Sequence, residues 1–344
     1  MVDLDALRHN YSVLQSLAPS ARCAAVVKAD AYGLDAGRVT GALREAGCTL
    51  FFVATPEEGA SVRQLLGPSP SIYVLNGFQP GLSEMFARSD LIPVIGSLDS
   101  LNAFGEEGGG VYALHVDTGM NRLGLTVEEA RSLALPRGGE LRLVMSHLAC
   151  SDVPAHPMNA HQLERFRTVL EHFPGIPASL ANTGGVLLGP DYHFDIIRPG
   201  VGLYGVNPSA TRSEPFRPVF HVDAPILQIR RVAAGETVGY GARFTAAGQR
   251  TIAIAGFGYA DGLFRAAWQT GSARIGEIAV PFAGMVSMDL TALDVTGHED
   301  LARKAGRVQF YGADLGAAAD AAGTIGYELL VRLGARLKRE YLGR

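Results

Sequence analysis

Lys28 stands at the tip of the apolar run CAAVV (23–27), within the stretch CAAVVKADAYG. Lysine is among the side chains least often buried, so an ammonium group delivered by an apolar strand needs a route to solvent or a chemical use for its amine. Other reactive or charged residues follow apolar runs in the same way: Asn76, Asp117 with Arg122, His147, Asn182 with Thr183, and Arg198. Singly, each has an ordinary explanation. A histidine at a strand end is more often a satisfied structural residue than a catalyst, and an arginine can simply pair with a carboxylate. Two glycine-rich stretches, ANTGG (181–185) and RPGVGLYG (198–205), allow backbone N–H groups to approach an anion, and the Thr183 hydroxyl adds a donor. Either stretch alone reads as ordinary turn glycine. Both together, with a strand-end lysine, point to a phosphate-bearing cofactor whose reactive group is a carbonyl. Pyridoxal 5'-phosphate meets that description, because lysine forms a Schiff base with its aldehyde and its phosphate needs an anion cradle.

These residues converge only if the elements carrying them bring one set of strand ends together. Eight short apolar runs alternate with helix-like segments: CAAVV, CTLFFVA (48–54), SIYVL (71–75), LIPVI (91–95), VYALHV (111–116), LRLVM (141–145), PASLA (177–181) and FDII (194–197). Nearly continuous hydrophobicity is expected of parallel strands buried on both faces. Eight such units make an α/β fold, an N-terminal (β/α)8 barrel, whose active-site groups come from the C-terminal strand ends. A doubly wound open sheet is the alternative that periodicity alone leaves standing. Helices are expected over AGRVTGALREAG (36–47), over TPEEGASVRQLLG (55–67) with Thr55 and Glu58 as a capping box, after Thr126, and over 159–173. From about residue 216 the texture becomes β-rich with glycine turns, ending in a helical piece, GYELLVRLGARLKREYLG, with a basic surface. The expected domains are therefore 1–215, the cofactor-binding barrel, and 216–344, a mainly β C-terminal domain, joined by the linker NPSATRSEP (207–215).

Composition bounds the function further. The chain has 344 residues, 47% hydrophobic and 19% charged, with a formal net charge of −4. That charge gives no field to draw in nucleic acid or an anionic membrane. The amino terminus lacks the basic flank and apolar core of a signal peptide. Cys23, Cys48 and Cys150 form neither a disulfide framework nor a metal cluster, and are expected to be buried free thiols in a reducing cytoplasm.

The blocks VVKADAYG, VDTGMNRLG (116–124), SHLACSD (146–152), ANTGG, RPGVGLYG, VGYGARF (238–244), GYADG (258–262), SMDL (287–290) and TIGYE (324–328) occur in one order across nearly the whole chain. In this set the chain resembles the alanine racemase family of fold-type-III pyridoxal-phosphate enzymes. The resemblance implies an isomerase interconverting L- and D-alanine, a source of D-alanine for peptidoglycan precursors or a route for its breakdown. It also implies a homodimer with shared active sites. By motif, Lys28 would hold the cofactor and act as one base. Tyr240 would be the opposite-face base, supplied by a partner subunit. Arg198 would face the pyridine nitrogen, and since a guanidinium does not readily pass on a proton, the ring would stay a weak electron sink. His147 would sit beside Arg198, and Arg122 would meet the cofactor's phenolic oxygen or the substrate carboxylate. Tyr32, Thr183, Gly200, Val201 and Tyr327 match phosphate contacts, with Asn182 beside them. Met288 matches a substrate-carboxylate contact, and Tyr259, Asp152, Arg265 and Ile325 match an access corridor.

The chain departs from the family pattern in places. Asp30 stands for a usual asparagine, His115 for a lysine that can be carbamylated, Asn121 for a frequent glycine, Met285 for arginine and Ser287 for cysteine. Without that lysine, Arg122 must be held by another acceptor. A racemase of serine or of broader range is the alternative within the fold. A non-catalytic pyridoxal-phosphate-binding protein would lack the second domain and Tyr240, and the cysteine motif of the related decarboxylases is not found.

Overall fold

A computed structural model describes residues 1–135, 139–208 and 216–343. The linker expected at 207–215 lies, from 209 onward, outside the described residues. The chain divides into two compact units, Leu4–Arg217 and Met1–Asp3 with Pro218–Gly343.

In the first unit, strand β1 is split into Arg22–Cys23 and Ala25–Val26. It is followed by β2 (Leu50–Val53), β3 (Ser71–Val74), β4 (Leu91–Ile95) and β5 (Val111–His115). Then come β6 (Glu140–Met145), β7 (Ala178–Ser179) and β8 (Ile196–Ile197). Each expected run becomes a strand, but β7 and β8 are shorter than PASLA and FDII. Parallel ladders join β1 through β7 in sequence order, and β8 pairs back onto the first half of β1, Ile196 opposite Arg22. Backbone bonds Asp195 N–H to Ala178 O (3.1 Å) and Arg198 N–H to Ala181 O (2.8 Å) link β8 to β7. Hydrogen bonds therefore run round a ring of eight strands, which excludes the open sheet. Leu50, Phe51, Phe52 and Val53 are all buried, as strands covered on both faces require.

The helices follow their start signals more closely than their ends. Pro56–Leu66 begins after Thr55, whose hydroxyl accepts from Glu58 N–H (3.3 Å). The expected capping box is only half made, because the Glu58 carboxylate turns to other partners. At Thr126 the reciprocal box with Glu129 is complete, and that helix runs only from Val127 to Ser132. Cys23 and Cys48 are buried, but Cys150 is only half-buried because it falls in the loop after β6 rather than in the strand.

The second unit is built on an antiparallel sheet. Its strands are β9 (Val222–Val232), β10 (Thr237–Val238), β11 (Phe244–Thr245), β12 (Arg250–Ala255), β13 (Ser272–Ile275), β14 (Ile278–Pro281), β15 (Thr291–Asp294) and β16 (Arg307–Tyr311). Six of them form one sheet in the order β14-β13-β16-β9-β12-β15, while β10 and β11 make a separate hairpin. Beneath that hairpin Val232, Ala246, Ile252 and Ala283 form a buried cluster against which Val238 and Phe244 pack. Val2–Asp3 pairs in parallel with Tyr341–Leu342. The expected helical end piece is helical only over Gly326–Val331. Beyond it Arg336 pairs with Asp261 (2.6 Å) and Asp289 (2.7 Å), and Gly334 N–H donates to Asp261 O (2.9 Å), so tertiary ion pairs replace the helix.

Candidate active site

Lys28 lies two residues past the end of β1 and opens a tight turn unlike its surroundings. Ala29, Asp30, Ala31 and Tyr32 all have φ between 52° and 57°, a left-handed turn of four L-residues. Such residues cost about 1–2 kcal/mol each relative to right-handed helix, and only Asn and Asp among them are eased by local hydrogen bonding. Asp30 supplies such a bond, its carboxylate accepting from Ala36 N–H (2.7 Å). The rest is imposed by neighbours. Ala31 N–H donates to Val27 O (2.9 Å), and Ala29 N–H donates to Glu58 Oε1 (2.8 Å), whose Oε2 accepts from Ala54 N–H (2.8 Å). Burial pushes the Lys28 amine below its usual range, Arg122 adds to that, and the Glu58 charge opposes it. A depressed amine holds more neutral, nucleophilic nitrogen at neutral pH.

The turn delivers Tyr32 to the second glycine-rich loop. Gly200 lies so close to the Tyr32 hydroxyl that a methyl group at this position would overlap it. The Thr183 Oγ1 accepts from Gly200 N–H (3.1 Å) and Gly202 N–H (3.2 Å), which leaves the hydroxyl proton to donate. Asn182 caps the segment Thr183–Leu188 by accepting from Gly185 N–H (2.8 Å) and also accepts from the Ser151 hydroxyl (2.9 Å). Val201 O closes the second loop by accepting from Tyr204 N–H (3.1 Å), and the Tyr204 hydroxyl donates to Val26 O (3.0 Å). The rings of Tyr204 and Tyr32 lie 4.6 Å apart. Thr183, Gly200, Val201 and Tyr32 are thus brought together past the ends of β1, β7 and β8.

A second cluster is basic. Arg198 is 3% exposed. Its guanidinium donates to the Ser179 hydroxyl, to Ser146 O (2.6 Å) and to Leu180 O (3.5 Å), and lies over the Phe52 ring. Burial pushes its pKa down to about 9, so it stays charged at neutral pH. That charge works on two imidazoles. Burial, then Arg198 and Arg122, lower His115 to about 4, with Asp117 opposing. Burial, then Arg198, Arg122, His115 and Lys28, hold His147 well below its usual range. Both imidazoles are therefore neutral at pH 7. Arg122 rides on a loop organised by Asp117, whose carboxylate accepts from Gly119 N–H (2.8 Å), Met120 N–H (2.8 Å) and Arg122 N–H (3.1 Å). Asn121 fits the frequent glycine position because its φ is +55°. A Cβ at Gly124 would lie 2.5 Å from Asp117 N, so the loop closes only on glycine there.

Tyr240, Tyr259, Met288 and Tyr327 belong to the second unit, with Arg265 and Ile325. Tyr240 opens a turn carried by the β10–β11 hairpin and is 72% exposed. Tyr259 and Met288 lie on two loops zipped together by Tyr259 N–H to Ser287 O (3.0 Å) and Ala260 N–H to Met288 O (2.9 Å). Asp261, buried, is held by Gly258 N–H and Arg336, which anchors that pair of loops. Tyr327 is 37% exposed on the helix Gly326–Val331, and Asp152 is exposed in the barrel loop after β6.

Several residues of the site were not singled out by the sequence. Glu58 reads as a cap in the sequence, but its carboxylate bonds elsewhere. Ser179, at the end of β7, holds Arg198. Gln162, fully buried on the helix Pro157–Leu170, donates to Thr118 Oγ1 (3.2 Å) and His147 O (2.9 Å) and accepts from Ala149 N–H (2.8 Å). A polar residue on the apolar stripe of that helix was the available signal.

The eight-stranded ring, with a lysine on its first strand end, a glycine-lined cradle after its last two strands and a separate antiparallel unit, defines a barrel of the type that binds phosphorylated cofactors at its C-terminal rim. Comparison with known proteins narrows this class. The profile "Alanine racemase, N-terminal domain" matches residues 2–208, and "Alanine racemase, C-terminal domain" matches residues 219–341. Alanine racemase of Rhodospirillum rubrum is 46% identical, covering 99% of this chain and 95% of its own. The catabolic alanine racemase of Agrobacterium fabrum is 44% identical, covering 99% and 91%. The crystal structure of alanine racemase from Bartonella henselae with covalently bound pyridoxal phosphate superposes with a TM-score of 0.93 at 35% identity, covering 99% of this chain and 98% of that one. The chain belongs to the alanine racemase family.

Proposed function

We propose that this protein is an alanine racemase that interconverts L- and D-alanine with pyridoxal 5'-phosphate held on Lys28. The observation that carries the reading is the joining of two features by one turn: the depressed Lys28 amine, and Tyr32 against Gly200 beside the Thr183 hydroxyl. The residues fit the group. An amine biased toward its neutral form suits attack on an aldehyde, and the Thr183 hydroxyl proton, left to donate beside a Gly200 that has no room for a side chain, suits an anion. When bound, the cofactor supplies a conjugated ring that accepts the electron pair left at Cα after proton loss.

Tyr32, Thr183, Asn182, Gly200, Val201 and Tyr327 would hold the phosphate. Arg198, fixed by Ser179 and Ser146 and charged at neutral pH, would face the ring nitrogen, with neutral His147 alongside. Arg122 and Met288 receive the substrate carboxylate, and Tyr259 lines its path. One base takes the Cα proton from one face, and the conjugate acid of the other returns a proton to the opposite face. Lys28 Nζ and the Tyr240 hydroxyl fill these two roles, the tyrosine coming from a second copy of the chain. Its high exposure, with that of Tyr259 and Met288, supports a homodimer that covers them. The domain assignment 1–215 and 216–344, with the second domain completing a partner's site, belongs to the same reading, as does a cytoplasmic location. No helix among the described residues is long and apolar enough to cross a membrane.

The test is purified protein assayed with a panel of L-amino acids for formation of the D-enantiomers. D-alanine from L-alanine alone supports the proposal, equal turnover of L-serine shifts it to a broader racemase, and no product from any of them sinks it.

A further inference from the structure

We infer that Glu58 is a positioning residue for Lys28: its carboxylate ties the turn that presents the amine to the end of β2 and sets a negative charge against otherwise basic surroundings. The inference rests on Lys28 being the cofactor-holding group. Glu58 occupies the third position of the helix Pro56–Leu66, where a glutamate ordinarily reaches back to the N-cap N–H. Here both oxygens are committed elsewhere, Oε1 to Ala29 N–H and Oε2 to Ala54 N–H, each at 2.8 Å. Ala29 is the residue after Lys28 and the first of the four left-handed ones. Ala54 directly follows β2.

The bridge therefore spans two neighbouring strand ends and restrains a backbone that L-residues do not favour. A bond to an ionised carboxylate is stronger than one to a neutral acceptor, so Glu58 suits a strained segment better than a backbone carbonyl would. The charge has a second role. Arg122, from the loop after β5, disfavours a proton on the Lys28 amine, and Glu58, from the helix after β2, favours one. His147, from the loop after β6, faces the same amine and is itself affected by it. Glu58 thus keeps the amine from losing its proton too readily, which a group that must both give and take a proton requires.

The experiment compares the parent chain with Glu58→Gln, a variant that keeps the shape but removes the charge and one acceptor. In full-length protein freed of cofactor, Lys28 is labelled across a pH series with an amine-selective acylating reagent and read by mass spectrometry. Amide hydrogen exchange at Ala29 and Ala54 is followed in parallel. The labelling midpoint is expected to fall by roughly one pH unit, and the Ala29 amide to exchange roughly tenfold faster. A role in capping alone would leave the midpoint where it was, and that result overturns the inference. Should Glu58→Gln yield no folded protein, Glu58→Asp keeps the charge on a side chain one methylene shorter. The inference then requires lost protection at Ala29 and Ala54 with a smaller change in midpoint, and unchanged protection overturns it. Failure of the parent Lys28 to take up pyridoxal phosphate would remove the cofactor reading but leave the effect of Glu58 on the amine measurable.

Discussion

Tyr32 places its hydroxyl against the α-carbon of Gly200, across the gap between the first and last strand ends of the barrel. The contact exists because four residues after Lys28 turn left-handed and because position 200 carries no side chain. Gly200→Ala should therefore displace Tyr32 and narrow the cradle. Overpacking of this kind costs about 1–3 kcal/mol. Equilibrium dialysis should show pyridoxal phosphate bound at least tenfold more weakly, while pyridoxal, which lacks the phosphate, is less affected. Equal losses for both ligands would contradict the cradle.

Replacing Lys28 with alanine should abolish the covalent cofactor. The expected signs are loss of the visible absorbance band of the bound cofactor and of measurable racemisation, with a folded protein by circular dichroism. A normal band in Lys28→Ala would remove this lysine from the site.

Tyr240→Phe removes the hydroxyl proposed to transfer a proton while keeping the ring. Because the turn that carries it is exposed and has its own hairpin core, no loss of fold is expected. General acid–base groups contribute roughly 10²–10⁴-fold. The variant should keep the cofactor band and lose turnover by that order, more severely in one direction. Deuterium exchange at Cα measured from each enantiomer separates the two faces, and equal retention on both would exclude Tyr240.

Stability should fall in mild acid because of the buried imidazoles. His115 has a folded pKa of about 4 against an unfolded value of about 6.5, so between these values the unfolded chain binds the extra proton. Stability therefore rises with pH across that window and is lost as pH falls through it. The full loss from His115 is about 3 kcal/mol, and His147 acts in the same direction. Denaturant unfolding at about pH 7 and about pH 5 should show this slope reduced in His115→Gln. An identical slope would mean that His115 is not the titrating group.

Ser179→Ala should leave the buried Arg198 guanidinium short of an acceptor. Such a deletion costs about 1–3 kcal/mol, more for a charged group. The melting temperature should fall, and a shifted absorbance of the bound cofactor would mark movement of Arg198 beside the proposed cofactor site. A lower melting temperature with an unshifted band would make Ser179 purely structural.

The sequence by itself determined the strands and their reactive ends. Runs such as LFFV (50–53) are apolar throughout because both their faces are covered, and that leaves a readable signal. Lys28, Thr183 and Arg198 were visible because each breaks such a run with a group that burial penalises. Helix starts at Thr55 and Thr126 were legible for a similarly local reason, a side-chain oxygen meeting a free N–H. What only the tertiary structure decided depends on partners distant in the chain. Closure of the barrel rests on β8 meeting β1 across more than a hundred residues. The left-handed turn after Lys28 contradicts local preference and is held by Glu58, Asp30 and Val27. Glu58 itself reads as a cap in sequence, since nothing local distinguishes a carboxylate that bonds its own helix from one that reaches across to the next strand. The non-helical end of the chain follows the same logic, with Arg336 drawn away by Asp261 and Asp289. Local pattern specifies which group each strand end carries, and long-range hydrogen bonds and ion pairs specify which way it faces.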